Sequence, residues 1–123
     1  MAQFTTWLTR DLSRPNTVEV LDSVLCQGDN SGNRIGVRVT KGGTPCPLTG
    51  TVKGFIVKSD GITAEVNGLV AGNSAWIYLP PEAYSVPGRV QIAIRLTNGS
   101  EKTVLAACVA TVIRVETDET ISE

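Results

Sequence analysis

The side chains that could carry acid–base or nucleophilic chemistry are few and scattered. The 123 residues include 12 Asp and Glu, 3 Cys and no His. General acid–base catalysis needs titratable groups held together in a cleft, and a Ser or Cys nucleophile normally needs a neighbouring base. The candidate acids fall mostly in turns or at outward strand positions: Asp29, Asp60, Glu65, Glu82 and Glu101. No motif marks a Ser–Lys pair, so we predict that the chain is not an enzyme.

The three cysteines predict neither a metal site nor a cofactor site. Cys26, Cys46 and Cys108 show no metal-ligand spacing, and without His a zinc site lacks its usual ligands. The odd count, with an N-terminus that lacks the apolar stretch of a signal peptide, predicts thiols that stay reduced. Spacing alone leaves a Cys26–Cys46 disulfide open, whereas Cys108 lies in an apolar run typical of a core strand.

Aromatic residues near the N-terminus offer contact with another protein rather than catalysis. Phe4 and Trp7 are followed by Leu8 in the sequence FTTWL. One interpretation is a first strand with Trp7 in the core. The other is an arm whose aromatic side chains anchor a neighbouring subunit, because Trp and Tyr are frequent in interface hot spots. The two interpretations are compatible if only part of the segment joins the sheet.

Trp76 and Tyr78 form a second aromatic pair. In SAWIYLP they alternate with Ala75, Ile77 and Leu79, so both rings lie on the outer face if the aliphatic side chains face the core. Two aromatic rings on one sheet face suit a subunit interface and equally a platform for sugar stacking. The candidate interface residues are therefore Phe4, Trp7, Leu8, Trp76 and Tyr78.

Charge and hydropathy exclude two classes of partner. The chain has 11 basic and 12 acidic residues and a net charge of −1, so it lacks the basic patch of a nucleic-acid-binding protein. No apolar run approaches the roughly 20 residues that a membrane-spanning helix needs. We therefore expect no nucleic-acid partner and no membrane partner.

The elements that must position the aromatic residues are predicted to be β-strands. Apolar and polar residues alternate in RIGVRVT, TVKGFIVKS, SAWIYLP and RVQIAIRLT, which is the period of a half-buried strand. In the last of these, Val90, Ile92, Ile94 and Leu96 are predicted to face inward and Arg95 outward. The run VLAACVATVIRV is apolar on both sides in its middle, as in a central strand.

Turn residues separate these strands. Asn98-Gly99 is the strongest hairpin signal, Asp60-Gly61 and Asn67-Gly68 are further turn dipeptides, and the segment Pro80 to Tyr84 predicts one short helical turn. About seven strands with no sustained helical period predict an all-β fold, an Ig-like antiparallel β-sandwich. The Cys…Trp…Cys core of antibody domains is missing, so the prediction concerns the architecture alone.

Two longer stretches resemble a known family. VRVTKGGTPCPLTG, with FIVKSDG after it, resembles a strand ending in TK-G-P-PLTG and a strand closing on PDG, and LPPEAYSVPGRVQIAIRL resembles L-A-AVPG followed by Ile. These patterns are similar to those of the N-terminal domain of phage baseplate upper proteins, a family also found at the base of phage tail and head fibres. The similarity runs from about Ile35 to Val115, and Ser59 stands where the family tends to have Pro.

The resemblance implies a virion module without catalytic residues. Such a module attaches a fibre or receptor-binding assembly to other phage structural proteins of the baseplate, tail or capsid, commonly as a homotrimer, and is assembled in the host cytoplasm. Family members usually continue into a coiled-coil stalk, whereas this sequence ends in TDETISE. It is then either a piece of a longer chain or a stand-alone capsid decoration or head-fibre protein. A carbohydrate-binding β-sandwich is the remaining alternative.

The predicted domain organisation has three parts. Residues 1–25 form an N-terminal arm and first strand, which is a candidate attachment segment. Residues 26–115 form the β-sandwich domain, and residues 116–123 form an acidic linker or tail. Glu116, Asp118, Glu119 and Glu123 make this tail too polar to pack.

Overall fold

The computed structural model describes residues 5–15, 18–26, 34–80, 83 and 86–113, with residue 5 and residues 18–26 described by their backbone alone. Nine β-strands run through these residues: β1 (Thr5–Asp11), β2 (Val18–Cys26), β3 (Arg34–Lys41), β4 (Thr44–Pro45), β5 (Thr51–Val57), β6 (Thr63–Ala71), β7 (Ser74–Tyr78), β8 (Gly88–Asn98) and β9 (Glu101–Ile113). The prediction of an all-β fold is confirmed. The described part of the N-terminal segment contains β1, the turn that follows it and β2.

The strands form one mixed sheet rather than an antiparallel one. They pair in the order β1-β3-β7-β6-β5-β8-β9-β2, and the two-residue β4 pairs with β3. β1 lies parallel to β3, and β2 lies parallel to β9, so the antiparallel prediction is wrong for these two pairs. Short hairpins join only antiparallel neighbours, and β1 and β2 reach their partners through long connections instead. Because β1 and β3 also lie against β9, the sheet curls back on itself around a common core.

β6 connects the two halves of this curled sheet. Its first part pairs with β5 and its second part, from Gly68 onward, pairs with β7. The predicted turn at Asn67-Gly68 is therefore wrong, because both residues lie within β6. A Cβ on Gly68 would lie 2.5 Å from Val52 Cγ1, so this glycine permits a close approach between strands.

The other turns fit their sequence signals more closely. Asn98 pairs with Glu101, so Gly99 and Ser100 form the hairpin loop between β8 and β9. Gly99 has a φ of 64°, which suits the first position of a type II′ turn. The turn at Asp60-Gly61 is confirmed by a hydrogen bond from Gly61 N to the Lys58 carbonyl (2.9 Å). A further loop at Gly72-Asn73, between β6 and β7, was missed.

One turn is described in part. Ala83 N donates to the Pro80 carbonyl (2.9 Å), which is the hydrogen bond of a single helical turn. Ala83 is buried, and the other predicted members of this turn after Pro80 lie outside the described residues.

The core is built by the predicted two-residue alternation. Its buried members come from both halves of the sheet: Leu8, Ile35, Val37, Val39, Val52, Ile56, Ala75, Ile77, Leu79, Ala83, Val90, Ile92, Ile94, Leu105, Ala106, Cys108, Ala110 and Val112. Leu96 is partly buried against them. Arg95 points outward as predicted, yet it is half-buried because its guanidinium lies 4.5 Å from the centre of the Phe55 ring. Cys46 carries a free thiol, so the Cys26–Cys46 disulfide left open by spacing does not form.

Candidate protein-interaction surface

Within the described residues, no group of three or more His, Cys, Asp or Glu side chains is arranged to hold a metal ion. The same part of the chain has no helix with the length and hydrophobicity required to cross a membrane. The candidate sites are one hydrogen-bonded carboxylate and two outer sheet faces.

The hydrogen-bonded carboxylate is the side chain of Asp11, at the end of β1. It accepts hydrogen bonds from the Ser13 hydroxyl (2.5 Å), from Ser13 N (2.9 Å), and from Gly42 N and Gly43 N (3.0 Å each). The hydroxyl of Ser13, helped by the three backbone donors, holds the pKa of this carboxyl well below its usual value. Gly42 and Gly43 form the turn between β3 and β4, with φ of 61° and 86°.

Asp11 therefore acts as a structural link. Its bonds tie the end of β1 to a turn about 30 residues further along the chain, beyond β3. The KGGT stretch supplies two of the donors, because its two glycines adopt the positive φ that turns both N–H groups toward the carboxylate. This link fixes the strand that carries Trp7 and Leu8.

The N-terminal interface candidates separate in the structure. Leu8 is buried in the core, whereas Trp7, its neighbour on an extended strand, points to the outer face. The Trp7 ring covers Gly36 of β3, where an added Cβ would lie 2.5 Å from Trp7 Cζ3. The interpretation that placed Trp7 in the core is wrong, because Leu8 takes that position. Phe4 lies outside the described residues.

Trp7 and Trp76 are brought together by strand register. Trp7 is paired with Gly36, Gly36 with Trp76, and Trp76 with Leu69, so one row crosses four adjacent strands. Because Gly36 has no side chain, the two indole rings meet above it with their centres 6.5 Å apart and their planes at 71°. This edge-to-face geometry is favourable for aromatic pairs.

Tyr78 extends the same surface at one end. It lies two residues beyond Trp76 on the same side of β7, and it is 42% exposed. Leu69 is 50% exposed. We call Trp7, Leu69, Trp76 and Tyr78, together with Arg38, the aromatic face. Large apolar side chains grouped on an outer sheet face typically mark a contact site.

Two guanidinium groups lie over rings of this surface. The Cζ atom of Arg38 is 4.2 Å from the centre of the Trp7 ring, and that of Arg34 is 5.6 Å from the centre of the Tyr78 ring. Both distances are in the range of cation–π interactions. Sequence reasoning missed Arg38 and Leu69, because neither residue is distinctive until the register places it beside an indole.

The indole N–H of Trp76 is an additional feature of the aromatic face. Its Nε1 atom is buried and has no hydrogen-bond partner. A buried donor without a partner destabilises a protein by roughly 1–3 kcal/mol. Native proteins leave few such groups without a partner.

The opposite half of the sheet has a different outer surface. An open depression of about 320 Å³ lies over β5, β8 and β9. It is lined by Phe55, Val57, Gln91, Ile92, Ala93, Ala107, Cys108 and Val109. Ala93 pairs with both Phe55 and Ala107, so small side chains form the floor beside one ring. The residues that line this depression include no Asp, Glu, Lys or Arg.

Comparison with known proteins is informative at the level of fold. No family model matches the chain, and no curated protein matches it. Among solved structures, the N-terminal domain of phage TP901-1 ORF48 matches with a TM-score of 0.54 and 14% identity, over 92% of this chain and 99% of that domain. The chain therefore shares the fold of a phage protein domain. The resemblance to phage proteins inferred from the sequence is supported to that extent.

Proposed function

We propose that the chain is a non-enzymatic structural module of a phage virion. In this role it attaches a fibre or receptor-binding assembly to the baseplate, tail or capsid through protein–protein contacts. The fold shared with a phage protein domain supports the phage assignment. The single observation that supports contact as the mechanism is the row from Trp7 through Trp76 to Leu69, which groups apolar side chains on an outer sheet face.

The composition of the aromatic face fits this role. Trp, Tyr and Arg are the residue types most enriched in interface hot spots, and all three occur together here. Each aromatic ring that becomes buried against a partner removes on the order of 150–250 Å² of surface from water. The half-exposed Leu69 and Tyr78 at its margin leave apolar area that a partner would cover.

Several finer predictions accompany this proposal. We propose a homotrimer of Ig-like modules, incorporated into the virion after assembly in the host cytoplasm. A stand-alone capsid decoration or head-fibre protein is the variant of this function in which no stalk follows. Analytical ultracentrifugation of the purified chain tests the trimer, and a purely monomeric sedimentation profile at high concentration would count against it.

A carbohydrate-binding module is the second candidate, because Trp76 and Tyr78 lie on the same outer face. The geometry favours it less, since the Trp7 ring meets Trp76 edge to face at 71° and the Arg34 guanidinium lies over the Tyr78 ring, 5.6 Å from its centre. A glycan array with wild type and Trp76→Ala decides this point. Binding above background that disappears in the variant would support the sugar function.

The test of the main proposal is incorporation into particles. A phage lacking the gene is complemented with wild type, Leu69→Ser or Ile62→Ser, and the amount of chain per particle is measured by quantitative mass spectrometry. Ile62 is the matched control, because it is an aliphatic residue of similar exposure (58% against 50%) that lies outside the aromatic face. We expect Leu69→Ser to lower occupancy and Ile62→Ser to leave it unchanged.

Two outcomes would contradict the proposal. Absence of the wild-type chain from purified particles would exclude a virion role. Full occupancy for Leu69→Ser and for Tyr78→Ala would exclude the aromatic face as the contact site. Circular dichroism and thermal melts of each variant separate loss of contact from loss of folding.

A further inference from the structure

We infer that the aromatic face binds an extended protein segment of another chain, which brings a carboxylate to Arg38 and an aliphatic side chain to Leu69 and Trp76. This inference rests on the proposed function, since it takes the aromatic face as the contact site. It adds the chemistry of the partner, which follows from the position of Arg38, from the acids on the same strands and from the register of the row.

Arg38 is placed to receive a carboxylate. It is exposed on β3, and its guanidinium lies 4.2 Å from the centre of the Trp7 ring. The guanidinium carries its N–H donors in a planar fork, which can form two parallel hydrogen bonds to one carboxylate. Because the fork is rigid, less side-chain freedom is lost for each hydrogen bond that forms.

The acids on the strands of the aromatic face are already engaged. β1, β3, β6 and β7 together contain two acidic residues, Asp11 and Glu65. Asp11 is bound to Ser13, Gly42 and Gly43. The Glu65 carboxylate lies 3.5 Å from the Lys53 ammonium group, in the part of β6 that pairs with β5. The charge at Arg38 is thus not neutralised by these strands, and a complementary partner is acidic.

Strand register gives the spacing of the partner's side chains. Arg38 is paired with Ser74, and the row of Gly36, Trp76 and Leu69 lies two residues further along these strands. Two residues of extended chain span about 7 Å. An extended segment that runs along the strands would therefore place a carboxylate on Arg38 and an aliphatic side chain, two positions later, against the row. Its next residue on the same side, two positions beyond, would reach Tyr78.

The probe for this inference is a set of three capped synthetic peptides. The first is Ser-Glu-Thr-Leu-Thr-Leu-Ser, the second has Gln in place of Glu, and the third has Ser in place of both Leu residues. Binding is followed by NMR through the indole N–H signals. The chain has two Trp, and both lie on the aromatic face, so these signals report that surface directly.

We expect the Glu–Leu peptide to shift both indole signals and to bind about two- to five-fold more tightly than the Gln peptide, as for an exposed ion pair. The advantage should shrink as NaCl rises from about 0.05 M to about 0.3 M. Arg38→Gln should remove the difference between the two peptides. The matched control, Arg89→Gln, neutralises an exposed arginine of β8 outside the aromatic face and should preserve it.

The outcomes separate this inference from the proposed function. Equal binding of the Glu and Gln peptides, or wild-type occupancy of particles by Arg38→Gln while Leu69→Ser is depleted, would overturn the acidic partner and leave the contact role intact. Loss of the wild-type chain from particles would overturn the contact role itself. Concentration-dependent indole shifts without peptide that vanish in Arg38→Gln would identify the occupant as a second copy and overturn the inference as stated.

Discussion

The two outer faces of the sheet share a core and a strand period, yet they differ in chemistry. Over β1, β3, β7 and β6 two indole rings meet above Gly36, and a guanidinium lies on Trp7. Over β5, β8 and β9 the small side chains of Ala93 and Ala107 lie beside Phe55 and leave a depression. Both surfaces are partly apolar. Period-two alternation thus decides which side chains are buried, while the size of the outward residues decides the shape that a partner would meet.

The largest expected effect tests whether the two halves fold as one unit. Ile77 of β7 and Ile94 of β8 are both buried, with exposures of 0% and 1%. Replacing either with Ala should lower the free energy of unfolding by about 2–5 kcal/mol, through lost burial and the cavity left behind. Urea melts should remain single transitions in both variants.

The control for this pair is Gln91→Ala, an exposed position of β8, which should change the free energy of unfolding by less than about 0.5 kcal/mol. A second transition in the Ile77→Ala melt, with the half that contains Ile94 still folded, would show that the halves are independent. The contrast between the outer faces would then describe two units rather than one.

The next effect concerns the aromatic face alone. In Gly36→Ala the new methyl group must displace the Trp7 ring, and such overpacking should cost about 1–3 kcal/mol. In a Trp7→Ala background the same change should cost little, because the clash is gone and Ala suits a strand better than Gly. Urea melts of the four proteins in this double-mutant cycle measure the coupling. Additive effects would mean that Trp7 does not lie over Gly36.

A pH-dependent effect tests the link that fixes β1. Hydrogen bonds, first from the Ser13 hydroxyl and then from backbone N–H groups, hold the folded-state pKa of Asp11 well below its usual value. A depressed folded-state pKa stabilises the fold above the unfolded-state pKa, near 4. This stabilisation is lost as the pH falls from about 5 toward the folded-state pKa. Asp11→Asn should therefore flatten the acid limb of the stability curve.

The comparison variant for this effect is Asp60→Asn. The Asp60 carboxylate accepts one backbone hydrogen bond, from Ile62 N (2.9 Å), where Asp11 accepts several. Urea midpoints of wild type and both variants between about pH 2 and pH 7 give the measurement. An equal flattening of the acid limb in Asp60→Asn would show that the additional hydrogen bonds of Asp11 do not cause the pH dependence.

Features that depend on the local sequence pattern could be predicted, whereas features that depend on contacts between distant residues could not. Alternation in RVQIAIRLT and SAWIYLP identified the buried residues of β8 and β7. The parallel pairing of β1 with β3 and of β2 with β9 was not predicted, because turn signals indicate hairpins but not long connections. Asn67-Gly68 matched a turn signal, yet tertiary contact with Val52 decides the role of Gly68.

The candidate site shows the same division between local and distant information. Trp76 and Tyr78 alternate with Ala75, Ile77 and Leu79, and these three aliphatic residues determine which side of β7 faces the core. Trp7 has apolar Leu8 beside it, so alternation alone could not decide which of the two faces the core. Two of the donors to Asp11 come from the turn after β3, and the ring beneath Arg38 comes from β1, so no local sequence pattern indicates these contacts.

The smallest expected effect on stability is the one that bears most directly on function. Leu69 is 50% exposed, so Leu69→Ser should change the free energy of unfolding of the isolated chain by no more than about 0.5 kcal/mol. Ile62→Ser, at 58% exposure in the turn before β6, should behave alike. The two variants should differ only where a partner is present, because Leu69 is paired with Trp76 and Ile62 lies away from the row. Thermal melts and particle occupancy measured on the same preparations make the comparison. A Leu69→Ser chain that is strongly destabilised in isolation would show that Leu69 supports the fold, and its exposure would then carry no information about a partner.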